Sequence, residues 1–236
     1  ADLAGWQMLD GFDYTFPPGS TLAPGEFLVV AFDPAGLEAA TGYTGALGPF
    51  SNGRLSNGGE RIALGDSLGA LVDEVSYSDE DTWDAAADGG GPSLELINPR
   101  LANIYAMAWR ASALAFGTPG AQNSVYLSDP PPVISGVIHD PPIPAPNESV
   151  TVTASLFNDD ASSMTVTLEH RRDGNPMYSE TPMFDDGAHE DGAAGDGLYG
   201  ATVAGLADGE RLDFRVRAED AGGTSLAPPG APNQTC

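Results

Sequence analysis

The sequence predicts an all-β chain folded as two β-sandwiches in tandem. Three observations carry that prediction. The second half alternates apolar and polar residues with a period of two, the mark of strands with one buried and one wet face. Short apolar runs are punctuated by Gly and Pro, which number 30 and 20 in 236 residues. Only Pro34 to Ala40 reads as a helical turn.

The run Leu127-Ser128-Asp129-Pro130-Pro131-Pro132 marks the seam, because three prolines favour extended geometry and cannot sit in a central strand. The expected division is a first domain over 1–127, a linker over 128–132 and a second domain over 133–236. In the first domain, Phe12-Asp13-Tyr14-Thr15-Phe16 alternates. Glu26 to Phe32 is apolar on both faces and is expected as a doubly buried strand. Glu60 to Leu64 and Ala70 to Tyr77 form a hairpin, and Ser93 to Ile97 and Ile104 to Arg110 supply further strands. In the second domain, Val150, Val152, Ala154 and Leu156 alternate with Thr151, Thr153 and Ser155. Met164, Val166 and Leu168 alternate with Thr165, Thr167 and Glu169; Leu212, Phe214, Val216 and Ala218 do so with Asp213, Arg215, Arg217 and Glu219. Val133 to Ile138, Met177 to Met183, Leu198 to Val203 and a short strand near Thr224 bring the total to about seven, which suits an immunoglobulin-like or fibronectin-III-like sandwich.

The formal net charge is -25, and all nine basic residues are Arg. The charge is spread evenly, with 16 acids and 4 Arg in residues 1–128 and 18 acids and 5 Arg in the remainder. Nucleic acid and anionic membrane both need clustered cations, so neither is an expected partner. No apolar run reaches membrane-spanning length, so no membrane insertion is expected. The acids keep a protein solvated in salty surroundings, where screening removes self-repulsion, and some are candidates for Ca²⁺. The lone Cys236 excludes an internal disulfide. No leader precedes Ala1-Asp2-Leu3, which reads as the start of a mature chain or of a fragment. Asn147-Glu148-Ser149 and Asn233-Gln234-Thr235 match the glycosylation pattern.

The stretch from Leu55 to Val75 supports two incompatible readings. Gly65-Asp66-Ser67-Leu68 spells the nucleophile block of the GDSL esterases, with Ile62-Ala63-Leu64 as the strand before it. Asp186-Gly187-Ala188-His189 supplies the Asp-x-x-His spacing for base and orienting acid. Against an enzyme, Gly69 to Ser76 reads as a strand where a helix is needed. Phe157-Asn158-Asp159 lacks the Gly of the oxyanion block, and Ser67 and His189 fall in different domains. Asp66-Ser67-Leu68-Gly69 is also ordinary turn chemistry, so the hairpin reading is preferred and no catalytic residue is assigned.

Asp185 to Gly197 holds four Asp, one Glu and four Gly in thirteen residues. Ca²⁺ takes six to eight oxygens at about 2.3–2.6 Å, which Asp carboxylates and inward-turned carbonyls can supply. Asp185, Asp186, Asp191 and Asp196 are therefore the candidate Ca²⁺ ligands, although the spacing is not that of an EF-hand. The competing reading is a tight loop whose Asp side chains cap backbone amides. His139 and His170 have no company at zinc spacing. Gly89-Gly90-Gly91-Pro92 lacks the Lys-Ser/Thr of a phosphate loop. Trp6, Trp83 and Trp109 are expected mainly as core anchors, with a sugar-stacking platform as the alternative.

The first domain resembles a bacterial lamin-tail domain. The resemblance rests on Asp2-Leu3-Ala4-Gly5-Trp6, Tyr14 to Gly19, Leu22-Ala23-Pro24-Gly25-Glu26-Phe27-Leu28-Val29-Val30 and Leu55 to Glu60. It continues through Val72-Asp73, Trp83, Gly91 to Leu96, Trp109, Gly117-Thr118-Pro119-Gly120 and Asn123. It implies an immunoglobulin-like sandwich in which the Ser67 stretch is a hairpin. Two strands that open the family pattern are missing ahead of Asp2, which implies an open sheet edge. The second domain resembles the bacterial immunoglobulin-like repeat that accompanies lamin-tail and CotH-kinase-like domains in secreted proteins. The resemblance lies in Met183 to Gly187, Asp191-Gly192, Gly195 to Tyr199, Phe214 to Ala218 and Asp220-Ala221-Gly222. Together these imply a non-catalytic structural or adhesive part of a larger secreted or cell-surface protein. Expected partners are its other domains or neighbouring copies, joined through sandwich edges. An accessory module for carbohydrate or another surface polymer is the alternative.

Overall fold

Twelve strands make four antiparallel sheets, in a computed structural model that describes residues 1–52, 54–80, 83–158 and 163–228. The chain divides into two compact units, Ala1–Leu127 and Ser128–Cys236. Cys236, Asn233 and Asp159 lie outside the described residues.

The first unit holds β1 (Gln7–Asp10), helix α1 (Pro34–Thr41), β2 (Gly59–Gly65), β3 (Leu71–Ser78), β4 (Leu94–Leu96) and β5 (Trp109–Ala111). Strands β1, β2 and β3 form one sheet in that order, and β4 pairs with β5. Helix α1 is set by its ends. The Asp33 carboxylate accepts from Gly36 N at 3.0 Å, Pro34 occupies the first turn, and Gly42 closes the helix in the left-handed region.

Three sequence expectations fail here. Glu26 to Phe32 forms no ladder: Val30 makes only an isolated bridge to Leu47, and Phe27 and Phe32 are 50% and 44% exposed. Phe12 to Phe16 likewise contributes isolated bridges, Gln7 to Thr15 and Asp13 to Ser51. Ile104 to Arg110 becomes a short 3₁₀ turn at Ala106–Ala108 that runs into β5. The first two runs pair only over a residue or two, Tyr14 and Phe16 with Met8 and Trp6, and Val29 and Ala31 with Leu47, while the third joins a ladder only where it enters β5.

The second unit holds β6 (Val133–Asp140), β7 (Val150–Phe157), β8 (Thr165–Arg172), β9 (Ser179–Pro182), β10 (Leu198–Val203), β11 (Leu212–Glu219) and β12 (Thr224–Ala227). Two sheets, β10-β7-β6 and β12-β11-β8-β9, pack face to face. The alternating residues do what the pattern requires: Val152, Ala154, Val166, Leu168, Val216 and Ala218 are buried between the sheets. Residues 128–132 open the second compact unit, and Pro130 and Pro132 are fully buried.

Replacing Leu168, fully buried in this core, with Ala is expected to cost about 2–5 kcal/mol of second-unit stability. Leu68→Ala, at a position 91% exposed, is expected to change first-unit stability by less than about 0.5 kcal/mol. Urea titration of each variant, resolving the two units, checks both.

Candidate functional site

Three places drew attention from the sequence, and their geometry differs. The first is the tip between β2 and β3. Asp66 Oδ1 accepts from Leu68 N at 2.8 Å and Ala70 N at 2.9 Å. Asp66 N donates to Ala70 O at 2.9 Å, and Gly69 takes φ +82° to close the turn. Ser67 is exposed on this tip and is followed by a strand, not by a helix. His189 does accept company from Asp186, with Nδ1 2.9 Å from Oδ1, but it belongs to the second compact unit. The turn chemistry accounts for the whole block.

The second place is the acidic loop, which links β9 to β10. Asp191 is fully buried, and its carboxylate accepts from Asp186 N at 2.6 Å, Gly187 N at 3.0 Å and His189 N at 3.1 Å. Asp185 accepts from Gly195 N at 2.6 Å, Asp196 N at 3.2 Å and Gly197 N at 2.9 Å. Asp196 accepts from Ala193 N and Leu198 N, both at 2.9 Å, and Asp186 from Ala188 N at 3.0 Å. The structure therefore brings the four predicted ligands into one loop, each engaged by backbone N–H groups. Among the described residues, no three His, Cys, Asp or Glu side chains converge to hold a metal ion. The loop docks on β10 at Gly200, where a Cβ would collide with the His189 carbonyl.

The third place is a cleft of about 360 Å³ in the first unit. Ile62 from β2, Val75 and Tyr77 from β3, Leu94 from β4 and Trp109 from β5 line it, with Trp83. The two indole rings lie 6.3 Å apart and are inclined at 40°. Trp109 Nε1 donates to Asn103 O at 2.8 Å, so its polar edge is satisfied. Tyr77 OH donates to Ser56 O at 2.6 Å with Glu60 Oε1 3.0 Å away. Burial and the Glu60 carboxylate push the Tyr77 hydroxyl well above its ordinary pKa. Trp6 does not line the cleft.

Residues 1–79 match the family model of the lamin tail domain, and residues 146–225 match that of the second Ig-like domain of conditioned medium factor. The first compact unit thus begins with a lamin-tail match and the second contains an immunoglobulin-like one, and each unit takes its name from its match. Domains of these kinds fit a non-catalytic structural module. No curated protein matches the chain. The lamin-tail match ends one residue beyond β3, so it covers the β1-β2-β3 sheet, while Trp83, β4 and β5 lie past it.

Two polar centres were missed in the sequence. In the lamin tail domain, Glu95 is buried mid-strand, accepting from Thr118 Oγ1 at 2.5 Å, Ser124 N at 2.8 Å and Ser124 Oγ at 2.7 Å. An acid flanked by Leu94 and Leu96 in a predicted strand was the available signal. In the immunoglobulin-like domain, Glu169 is buried beneath Arg215 and Arg217, with Nε atoms at 2.5 and 2.9 Å. Arg171 and Arg215 stack on the Tyr178 ring at 4.5 and 4.3 Å. The period-2 pattern labelled Glu169 as a wet-face residue; the long neighbours that cover it come from a paired strand.

Asp191→Asn keeps the shape of the loop but removes the anion on which three amides converge. It is expected to lower the melting midpoint of the immunoglobulin-like domain by roughly 10 °C. Melting the parent with chelator and then with Ca²⁺ separates the loop's two readings. A self-satisfied loop leaves the midpoint unchanged, whereas a rise with Ca²⁺ shows a cation competing with these amides.

Two of these carboxyls also set a pH dependence. Burial opposes the charge of Glu95, but the hydrogen bonds from Thr118, Ser124 and Ser112 outweigh it and hold its pKa below the ordinary value. At Asp191 burial is likewise outweighed, here by the amides of Asp186, Gly187 and His189. A depressed folded pKa gives stability that is complete above the unfolded value, near about 4, and is lost as pH falls through the folded value. Burial lowers the pKa of His170, so protonating it below about 6.5 adds a further loss in the same direction. Midpoints are therefore expected to fall from pH 7 to pH 5 slightly and from pH 5 to pH 3 steeply. Glu95→Gln should flatten the steep part in the lamin tail domain.

Proposed function

We propose that the chain is an extracellular structural or adhesive segment of a larger secreted or cell-surface protein. One observation supports this reading above others: the side chains arranged in catalytic or ligand-like patterns are spent on the fold. Asp66 closes the turn that carries Ser67, and Asp185, Asp186, Asp191 and Asp196 bind the loop's own amides. The charge of -25, borne without Lys, suits a surface that stays solvated in salt. The other domains of the parent protein or neighbouring copies are the partners this reading implies. An accessory module for a surface polysaccharide is the weaker reading, because Trp83 and Trp109 stand in a cleft among aliphatic strand residues and are inclined at 40°.

Wild type and Ser67→Ala are expected to hydrolyse a generic p-nitrophenyl ester at the buffer rate. Turnover by the wild type that Ser67→Ala abolishes would make the chain an esterase. The melting midpoint is expected to rise between about 0.1 M and about 1 M NaCl, as the screening length shrinks from about 10 to about 3 Å. A midpoint independent of salt would remove the argument from charge.

A further inference from the structure

In the lamin tail domain the described residues leave part of the interior unfilled. Among the described residues it buries seven apolar side chains, against fifteen in the smaller immunoglobulin-like unit. The cleft explains the shortfall. Its walls are the strand residues Ile62, Val75, Tyr77, Leu94 and Trp109, side chains that a closed sandwich would cover, and each stays only half-buried. Beside it, β3 is the edge strand of its sheet among the described residues: Leu71 and Val72 at its start are 51% and 49% exposed, and in its middle the Glu74 amide is held at 2.9 Å only by the adjacent Asp73 carboxylate, which Asn103 Nδ2 also reaches, so a partner strand must displace that carboxylate. An open cleft bordered by a free strand edge is a site for β-augmentation: backbone groups pair with the edge while alternate side chains enter the cleft.

We propose that this cleft and the free edge of β3 receive a β-strand from a partner polypeptide, apolar at alternate positions and carrying Arg or Lys between them. The apolar positions follow from the walls. The basic positions follow from charge, since Asp79, Asp84 and Asp88 line the same cleft. A second copy of this chain is a poor occupant, because each copy carries -25 and no Lys. A sugar is a poor occupant because the indoles stand among aliphatic strand residues rather than on an open platform. The proposal deepens the structural reading of the chain, yet ester hydrolysis at Ser67 would leave it standing, because the hairpin tip is not part of the cleft.

The test uses the whole chain and amidated nine-residue peptides alternating Arg with Val. A peptide alternating Arg with Ser keeps the charge and removes the apolar positions. The Arg–Val peptide is expected to bind at least tenfold more tightly, to shift tryptophan emission to the blue and to raise the melting midpoint of the lamin tail domain. Asp79→Asn with Asp88→Asn, both at exposed positions, should weaken binding severalfold without changing the midpoint of the free protein. Trp83→Ala should reduce the emission shift to the part that Trp109 contributes. Equal affinity for the two peptides would reduce the interaction to charge alone and overturn the proposal. So would binding by neither, concentration-dependent self-association that fills the cleft, or a tryptophan shift produced by neutral oligosaccharides instead.

Discussion

With 34 acids and nine Arg, most carboxylates in this chain cannot find a cationic partner, and the backbone takes that role. Asp33 caps the only α-helix among the described residues, Asp66 closes the β2–β3 hairpin, and Asp84 holds Ala86 N and Ala111 N. Asp185, Asp191 and Asp196 organise the loop before β10, and Asp220 holds Gly222 N and Gly223 N in the turn before β12. Each bond satisfies an amide that a turn would otherwise leave without a partner, and a charged acceptor makes the stronger bond. The acidity of the chain is thus partly structural. It fixes turns first and sets the surface potential second.

Two of the few cations sit where burial makes them matter. Five of the nine Arg lie in the immunoglobulin-like domain, and Arg215 and Arg217 cover the buried Glu169 there. Removing either partner would strand a charge with little water, whereas replacing the whole cluster by apolar residues would cost far less. Such a ladder fixes the pairing of β8 with β11 more than it stabilises it. Arg215 stands opposite Glu169, and Arg171 opposite Asp213, only in the observed register. A slip by one residue would send each charge to the opposite face.

The immunoglobulin-like domain was legible in the sequence nearly strand by strand, because every strand buries one face and the period survives along its length. Loops there were legible by composition, but not their purpose. Asp and Gly are demanded equally by turns and by Ca²⁺, and only the direction of the amides separates the two. The lamin tail domain was less legible for a different reason. Leu28, Val29 and Val30 look like a central strand, yet sequence cannot say whether a neighbour exists to pair with them. Their backbone meets only Leu47 and Phe50, too short a contact for a ladder, and the side chains of Phe27 and Phe32 are left half in water. The hairpin was the exception, since its turn residues and its two flanking strands agree with each other.

That agreement also explains why the esterase pattern misleads. A nucleophilic serine needs a strained strand-to-helix turn, a base within reach and amides left free for the oxyanion. At Ser67 the turn is relaxed by Gly69, and the following residues enter a strand whose amides face β2. The amides of Leu68 and Ala70 are already given to Asp66. The feature that makes Asp66 a good turn residue is therefore the feature that removes the oxyanion donors. A hairpin built this way cannot be converted to a nucleophile elbow by local adjustment. Freeing the amides would dismantle the turn that holds Ser67 in place.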